Sequence, residues 1–241
     1  MLTERNFKIF VDFDGTITTQ DIGEAMFLKF GDPIRANEII EDWIEQKINA
    51  RESWQLLCNT VKNFEIKQFE KFLDDMKIDS TFKIFNEYCL SNKFEMRILS
   101  DGLDLYIERI MNREDLDDIE VFSNKLLFGS NNELIPVFPH TDSECSRCAN
   151  CKRNHILNFS SEDEYSVYIG DGWSDVCPAQ YCDFIFAKNS LLKYCESNRI
   201  TYFPYNNFND VIIKLDQLKQ KKRLKKRYLA ELKRKEVYKQ G

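Results

Sequence analysis

Four helical faces follow one another directly after the first strand-like run of this chain, which is far more helix than a strand crossover needs. Ile22, Ala25, Met26 and Leu28 share one face; Ile39, Ile40, Trp43 and Ile44 share the next; then come Trp54, Leu57 and Val61, and last Phe69, Phe72 and Leu73. Only short breaks such as Gly31-Asp32-Pro33 interrupt the pattern between about Gln20 and Met76. The run before it, Phe7 to Phe13 (FKIFVDF), reads as a buried strand stopped by Asp14-Gly15-Thr16. A crossover between parallel strands is usually a single helix, so the pattern predicts an inserted all-helical subdomain.

Beyond it the chain alternates. Thr81 to Leu90, Leu103 to Met111, Arg153 to Phe159 and Ser174 to Gln180 read as helices. Glu95 to Leu99, Ile119 to Ser123, Tyr165 to Ile169, Phe184 to Ala187 and Thr201 to Phe203 read as strands, and Leu126 to Ile135 as a hairpin around Gly-Ser-Asn-Asn. Such alternation predicts an α/β fold with a parallel sheet covered by helices. The expected organisation is a core of residues 1–18 and 78–218, a helical cap of residues 19–77, and a tail of residues 219–241.

Charge separates the tail from the rest. The chain carries −6 overall, but residues 219–241 hold eleven Lys/Arg against two Glu, a net of +9, which leaves −15 for the body. An acidic body disfavours extended contact with nucleic acid, so such contact is expected only through the tail, which reads as a solvated basic helix from Lys219 to Gln240. No apolar run approaches a membrane span and Met1 to Arg5 do not resemble a signal peptide, so the expected location is the cytoplasm. There the eight cysteines read as thiols rather than as a disulfide framework.

Three acidic turns stand at or near strand ends: Asp12-Phe13-Asp14-Gly15-Thr16, Ser100-Asp101-Gly102, and Gly170-Asp171-Gly172-Trp173-Ser174-Asp175. Sites in open α/β sheets form beyond the carboxyl ends of the strands, so the three can converge. Residues two apart on extended backbone project to the same side, which pairs Asp12 with Asp14. Such a pair suits a nucleophilic carboxylate beside a carboxyl acid–base, and Asp171 with Asp175 adds oxygen ligands of the kind Mg²⁺ requires. Taken singly, Asp12 to Gly15 reads first as an ordinary turn, and Ser100 to Gly102 is no more specific. A calcium loop does not fit, because counted from Asp12 glycine stands fourth rather than sixth and Gly23 occupies the twelfth place instead of Glu.

In combination the motifs resemble those of the haloacid dehalogenase-like phosphatases. Asp12 to Thr18 (DFDGTIT) is similar to the first motif, Ser100 to the second, Lys152 to the third, and Gly170 to Asp175 (GDGWSD) to the fourth, over roughly residues 5–218. The helical insert resembles the cap class of phosphoserine phosphatase. The resemblance implies a Rossmann-like core and phosphate-monoester hydrolysis in which Asp12 attacks phosphorus and Asp14 is the acid–base. It implies Mg²⁺ on the Asp12 carboxylate, the Asp14 carbonyl and Asp171, with Asp175 in contact or one water away. It further implies phosphate binding by Ser100, Lys152 and the backbone around Asp101 and Gly102, and a cap-side substrate contact at Asp21, where relatives typically have Glu. Asp101 replaces a frequent glycine, and Arg51 aligns poorly with the arginine that would hold a serine carboxylate.

The substrate the resemblance implies is a small phosphorylated metabolite, first the methionine-salvage 2-hydroxy-3-keto-5-methylthiopentenyl-1-phosphate. Phosphoethanolamine or phosphocholine, thiamine monophosphate and phosphoserine are the alternatives, and a non-catalytic module recruiting an anionic partner through its tail is the reading of a different class. Oligomeric state is open. Finally, Cys145, Cys148 and Cys151 have a spacing that can supply three thiolates to a structural Zn²⁺, with His140 or His155 as fourth ligand; reduced thiols in a loop are the alternative.

Overall fold

The computed structural model describes residues 5–240. Contacts divide the chain into two compact units: residues 1–12, 78–98 and 152–241 form one, and residues 13–77 and 99–151 form the other.

The first unit is built on β1 (Phe7–Val11), the opening of β2 (Glu95–Leu103), β5 (Tyr165–Gly170), β6 (Phe184–Ala187) and β7 (Phe203–Pro204). All of these pair in parallel, with Phe10 opposite Arg97 on one side and Tyr168 on the other. β1 is buried at every position, as expected of a central parallel strand covered on both faces. Its one polar residue, Lys8, is ion-paired to Glu95 at 2.5 Å and Glu164 at 3.2 Å. Helices α5 (Phe82–Ser91) and α10 (Phe208–Gln220) pack together through Phe208, whose ring lies 5.0 Å from Phe82 and 5.1 Å from Phe85. The unit also holds α7 (Lys152–Phe159), α8 (Val176–Ala179), α9 (Asn189–Ser197) and α11 (Tyr228–Gln240).

The second unit contains the expected helical insert, as α1 (Ile22–Phe30), α2 (Pro33–Ile44), α3 (Ala50–Thr60) and α4 (Ile66–Asp74). Asp21, Asp32 and Asn49 cap the first three through their side chains, and Asn49 forms a full capping box with Glu52. Phe30 is the hub, with Phe64, Phe69 and Phe72 at 5.5–6.0 Å. The helices do not cluster alone. α6 (Asp104–Arg113), the antiparallel hairpin β3 (Glu120–Phe128) with β4 (Leu134–Val137), and the cysteine loop group with them. Phe128 meets Phe64 at 5.8 Å, Ala50 N–H donates to Arg147 O at 3.0 Å, and Arg51 donates to Ser146 O at 3.3 Å.

The strand order is β4-β3-β2-β1-β5-β6-β7, which is the predicted α/β class with one antiparallel edge. Three local expectations need correction. β2 does not stop at Leu99 but continues through Ser100-Asp101-Gly102, because the side-chain amides of Asn150 and Asn124 satisfy the Ser100 and Asp101 carbonyls at 2.8 and 2.6 Å. The helix expected over Ser174 to Gln180 breaks into a 3₁₀ turn, Trp173–Asp175, and the short α8. The tail is not one solvated helix: α10 ends at Gln220, and α11 begins only at Tyr228.

Between them the chain is tied down, with Tyr165 OH donating to Leu224 O at 3.1 Å and Arg227 donating to Cys182 O at 3.0 Å and to Ala179 O. α11 then packs its Ala230 fully out of solvent, and Arg234 pairs with the buried Asp183 at 2.8 Å. Among the described residues no helix is long and apolar enough to cross a membrane.

Candidate active site

Each unit concentrates its share of the expected residues into a polar cluster. In the first, Asp12 follows directly on β1 and Asp171 directly on β5, so neighbouring parallel strands deliver both carboxylates at their carboxyl ends. Asp175 joins them from the 3₁₀ turn, and one oxygen from each of the three lies within 4.8 Å of the others. Lys152, the first residue of α7, sits among them: its ammonium is 2.6 Å from Asp12 Oδ1 and 2.7 Å from Asp175 Oδ1 and donates to Ser174 Oγ at 3.1 Å. Asp12, Lys152 and Asp175 are all almost fully buried, at 4, 2 and 0% exposure.

Both oxygens of Asp175 are occupied. Oδ1 also accepts from Tyr168 OH at 2.6 Å, while Oδ2 accepts from the N–H groups of Asp171 and Gly172 at 2.9 and 3.0 Å. These bonds fold the Gly170-Asp171-Gly172 segment back onto the Trp173–Asp175 turn. Gly170 is required there, since a Cβ would fall 2.6 Å from Asp175 Cγ.

Three carboxylates outnumber the cations that act on them, Lys152 in direct contact and Lys188 through charge. Burial, together with the Asp175 and Asp171 charges, pushes Asp12 well above the usual carboxylate range even though Lys152 pulls it down. Burial alone would lower the Lys152 pKa, but Asp12 and Asp175 outweigh it and hold the ammonium above the ordinary lysine value. An all-oxygen donor set with surplus negative charge fits a hard divalent cation.

In the second unit Asp14 is the centre. Its Oδ1 accepts the Ile22 N–H at the start of α1 (2.9 Å), and its Oδ2 accepts Tyr106 OH (2.8 Å) and Ser100 Oγ (3.5 Å). Gly15, at a φ of 69°, lets the chain turn immediately after it, and the N–H groups of Ile17 and Thr18 close that turn on Phe13 O at 2.9 and 3.0 Å. Ser100 Oγ accepts the Gly102 N–H at 2.9 Å.

Asp101 is directed elsewhere. Its Oδ1 accepts the Asn150 N–H at 2.8 Å, which anchors the segment leading into Lys152. Asp21 Oδ1 is the N-cap of α1, accepting the Glu24 N–H at 2.7 Å. Among the described residues the only group of three or more ligand-type side chains close enough for one metal ion is Asp12, Asp171 and Asp175. Cys145, Cys148, Cys151 and His140 do not form a second such group among the described residues. His140 serves the loop through its backbone, accepting the Cys151 N–H at 2.8 Å, and its ring lies edge-on to Phe122 at 5.5 Å.

Sequence reasoning missed Tyr106 and Tyr168, each fully buried with its hydroxyl on a motif carboxylate. Both stand at positions whose periodicity reads as apolar, and a strand or helix pattern cannot distinguish Tyr from Phe. Asn150 was hidden as a member of the cysteine run.

Comparison with known proteins places this geometry among relatives. A family profile described as "Putative Phosphatase" matches residues 7–198. The chain is 29% identical over 217 residues to the 2-hydroxy-3-keto-5-methylthiopentenyl-1-phosphate phosphatase of Bacillus mycoides (strain KBAB4), covering 88% of this chain and 97% of the relative. The protein of the same name from Bacillus cereus (strain B4264) is 29% identical over 220 residues, with the same coverage. Among solved structures, a phospho-aspartyl intermediate analogue of phosphoserine phosphatase superposes with a TM-score of 0.63 at 18% identity, over 88% of this chain and 99% of that one. At that identity the likeness establishes the fold.

Proposed function

Since the chain belongs to the Putative Phosphatase family and is a haloacid dehalogenase-like phosphoric monoester hydrolase, we propose that Asp12 is its nucleophile and Asp14 its acid–base. The observation that carries this is the meeting of Asp12, Asp171 and Asp175 around Lys152 at the carboxyl ends of β1 and β5.

Asp12 and Asp171 would hold the cation, Mg²⁺ in this reading. Asp175, with both oxygens already accepting hydrogen bonds, holds Lys152 and the turn in place. Such an ion would supply charge neutralisation at the phosphoryl oxygens. The chain supplies the rest. Lys152 balances charge at Asp12 Oδ1, and in-line attack by the Asp12 carboxylate on phosphorus breaks the ester bond and gives an aspartyl-phosphate. Asp14 gives its proton to the leaving oxygen and later takes one from the attacking water. Tyr106 and the Ile22 N–H fix the Asp14 carboxyl in place, and the long Ser100 contact is the one that yields when Oδ2 is protonated.

For the substrate we favour 2-hydroxy-3-keto-5-methylthiopentenyl-1-phosphate, on the strength of the named relatives. Phosphoserine fits less well: Arg51, the candidate for its carboxylate, donates to Ser146 O, and Asp21 caps a helix. The test is phosphate release with and without Mg²⁺ across a panel of these esters, with Asp12→Asn alongside. Mg²⁺-dependent release that Asp12→Asn abolishes is the expected result. Full activity in that variant would overturn the mechanism.

A further inference from the structure

Asp171 is held from the first turn of α9. The Leu191 N–H donates to its carbonyl at 2.9 Å, and the Asn189 side-chain amide donates to its Oδ2 at 3.1 Å. Asn189 stands there with a φ of 48°, in the left-handed region that asparagine tolerates better than most residues. The other two carboxylates of the cluster are held differently. Asp12 meets an ammonium, and Asp175 meets the same ammonium, a phenol and two backbone N–H groups.

Lys188 also acts on Asp171 through charge, but the hydrogen bond that fixes its Oδ2 comes from the Asn189 amide. A primary amide orients a carboxylate without adding a charge that competes with a metal ion. We propose that Asn189 is a positioning residue for the cation: its amide sets the orientation in which Asp171 binds a divalent ion, and the left-handed backbone at 189 brings that amide into reach. This rests on the reading of Asp12 and Asp171 as cation ligands.

The experiment is a titration of the purified full-length protein with Mn²⁺, without substrate, reading free ion by electron paramagnetic resonance. Asn189→Gly is the informative variant, because glycine adopts the same φ without steric cost and only the amide is lost. The expected result is a Mn²⁺ affinity weakened about tenfold or more. A change in Mn²⁺ affinity below threefold would overturn the proposal. Asp171→Asn is titrated in parallel. If it binds Mn²⁺ as wild type does, the ligand reading itself fails; if it loses the ion while Asn189→Gly keeps it, only the role of Asn189 fails.

Discussion

Tyr106 donates its hydroxyl to Asp14 Oδ2 at 2.8 Å, and Gly102 lies so close to the pair that a Cβ on it would overlap the hydroxyl and stand 2.6 Å from the carboxylate oxygen. Glycine at 102 is therefore a packing requirement of Asp14, the proposed acid–base. Gly102→Ala should displace Asp14 and lower kcat about 100-fold, the usual consequence of misplacing a catalytic group by an ångström, while overpacking costs about 1–3 kcal/mol. Steady-state kinetics with a denaturation curve on the same sample would check this. Unchanged kcat would show that Asp14 has slack that the packing does not suggest.

Lys152 is paired directly with two buried carboxylates of the first cluster. Lys152→Met should lower metal-free stability by about 3–5 kcal/mol, the typical cost of removing one partner from a buried ion pair, and should abolish turnover. The ammonium is held above its ordinary value, so its contribution is complete below the unfolded lysine pKa of about 10.4 and is lost only as pH rises through the higher folded value. The stability difference between wild type and Lys152→Met should therefore stay flat from about pH 8 to 10 and shrink only above that. Urea denaturation across that range measures it.

The basic tail is part of the first unit's structure. Arg234→Ala leaves Asp183, whose side chain is 1% exposed, without its cation. Ser166 still donates to that carboxylate through its N–H and its hydroxyl, at 3.0 and 3.1 Å. The loss should be about 2–3 kcal/mol, below the full cost of orphaning a buried charge. A thermal melt that does not move would return α11 to the status of a solvated appendage.

Thiol reactivity should be divided sharply. Burial pushes the Cys58, Cys89 and Cys182 thiols up to about 12 and Cys195 to about 11. At pH 8 the thiolate fraction of the first three is on the order of 10⁻⁴, far too low for rapid attack on an aromatic disulfide reagent. The fast phase should be confined to the partly exposed Cys145, Cys148 and Cys177. Peptide mapping after brief labelling identifies them, and early labelling of Cys182 would contradict the burial.

Much of this was legible in the residue order. The helical insert, the hairpin and the strands β1, β5 and β6 follow from apolar periodicity, and the metal carboxylates from their places after strand-like runs. The end of β2 was not, because Ser100-Asp101-Gly102 looks like a turn until Asn124 and Asn150, distant in sequence, supply donors for its carbonyls. The 3₁₀ turn at Trp173–Asp175 escaped as well, because a side-chain carboxylate folding back on the N–H groups of Asp171 and Gly172 leaves no trace in hydrophobic spacing.

What the sequence determines by itself is local. It sets which stretches are helix or strand, which acidic residues stand where parallel strands end, and the motif order by which the chain is recognised as a phosphatase. Only the tertiary structure decided what each polar group faces. It paired Lys152 with two carboxylates, turned Asp101 toward Asn150 and Asp21 toward its own helix, and set Tyr106, Tyr168 and Asn189 on three of the motif aspartates. The reason is that a buried polar atom must find a partner wherever the fold places one, and that partner is set by packing between segments rather than by proximity along the chain.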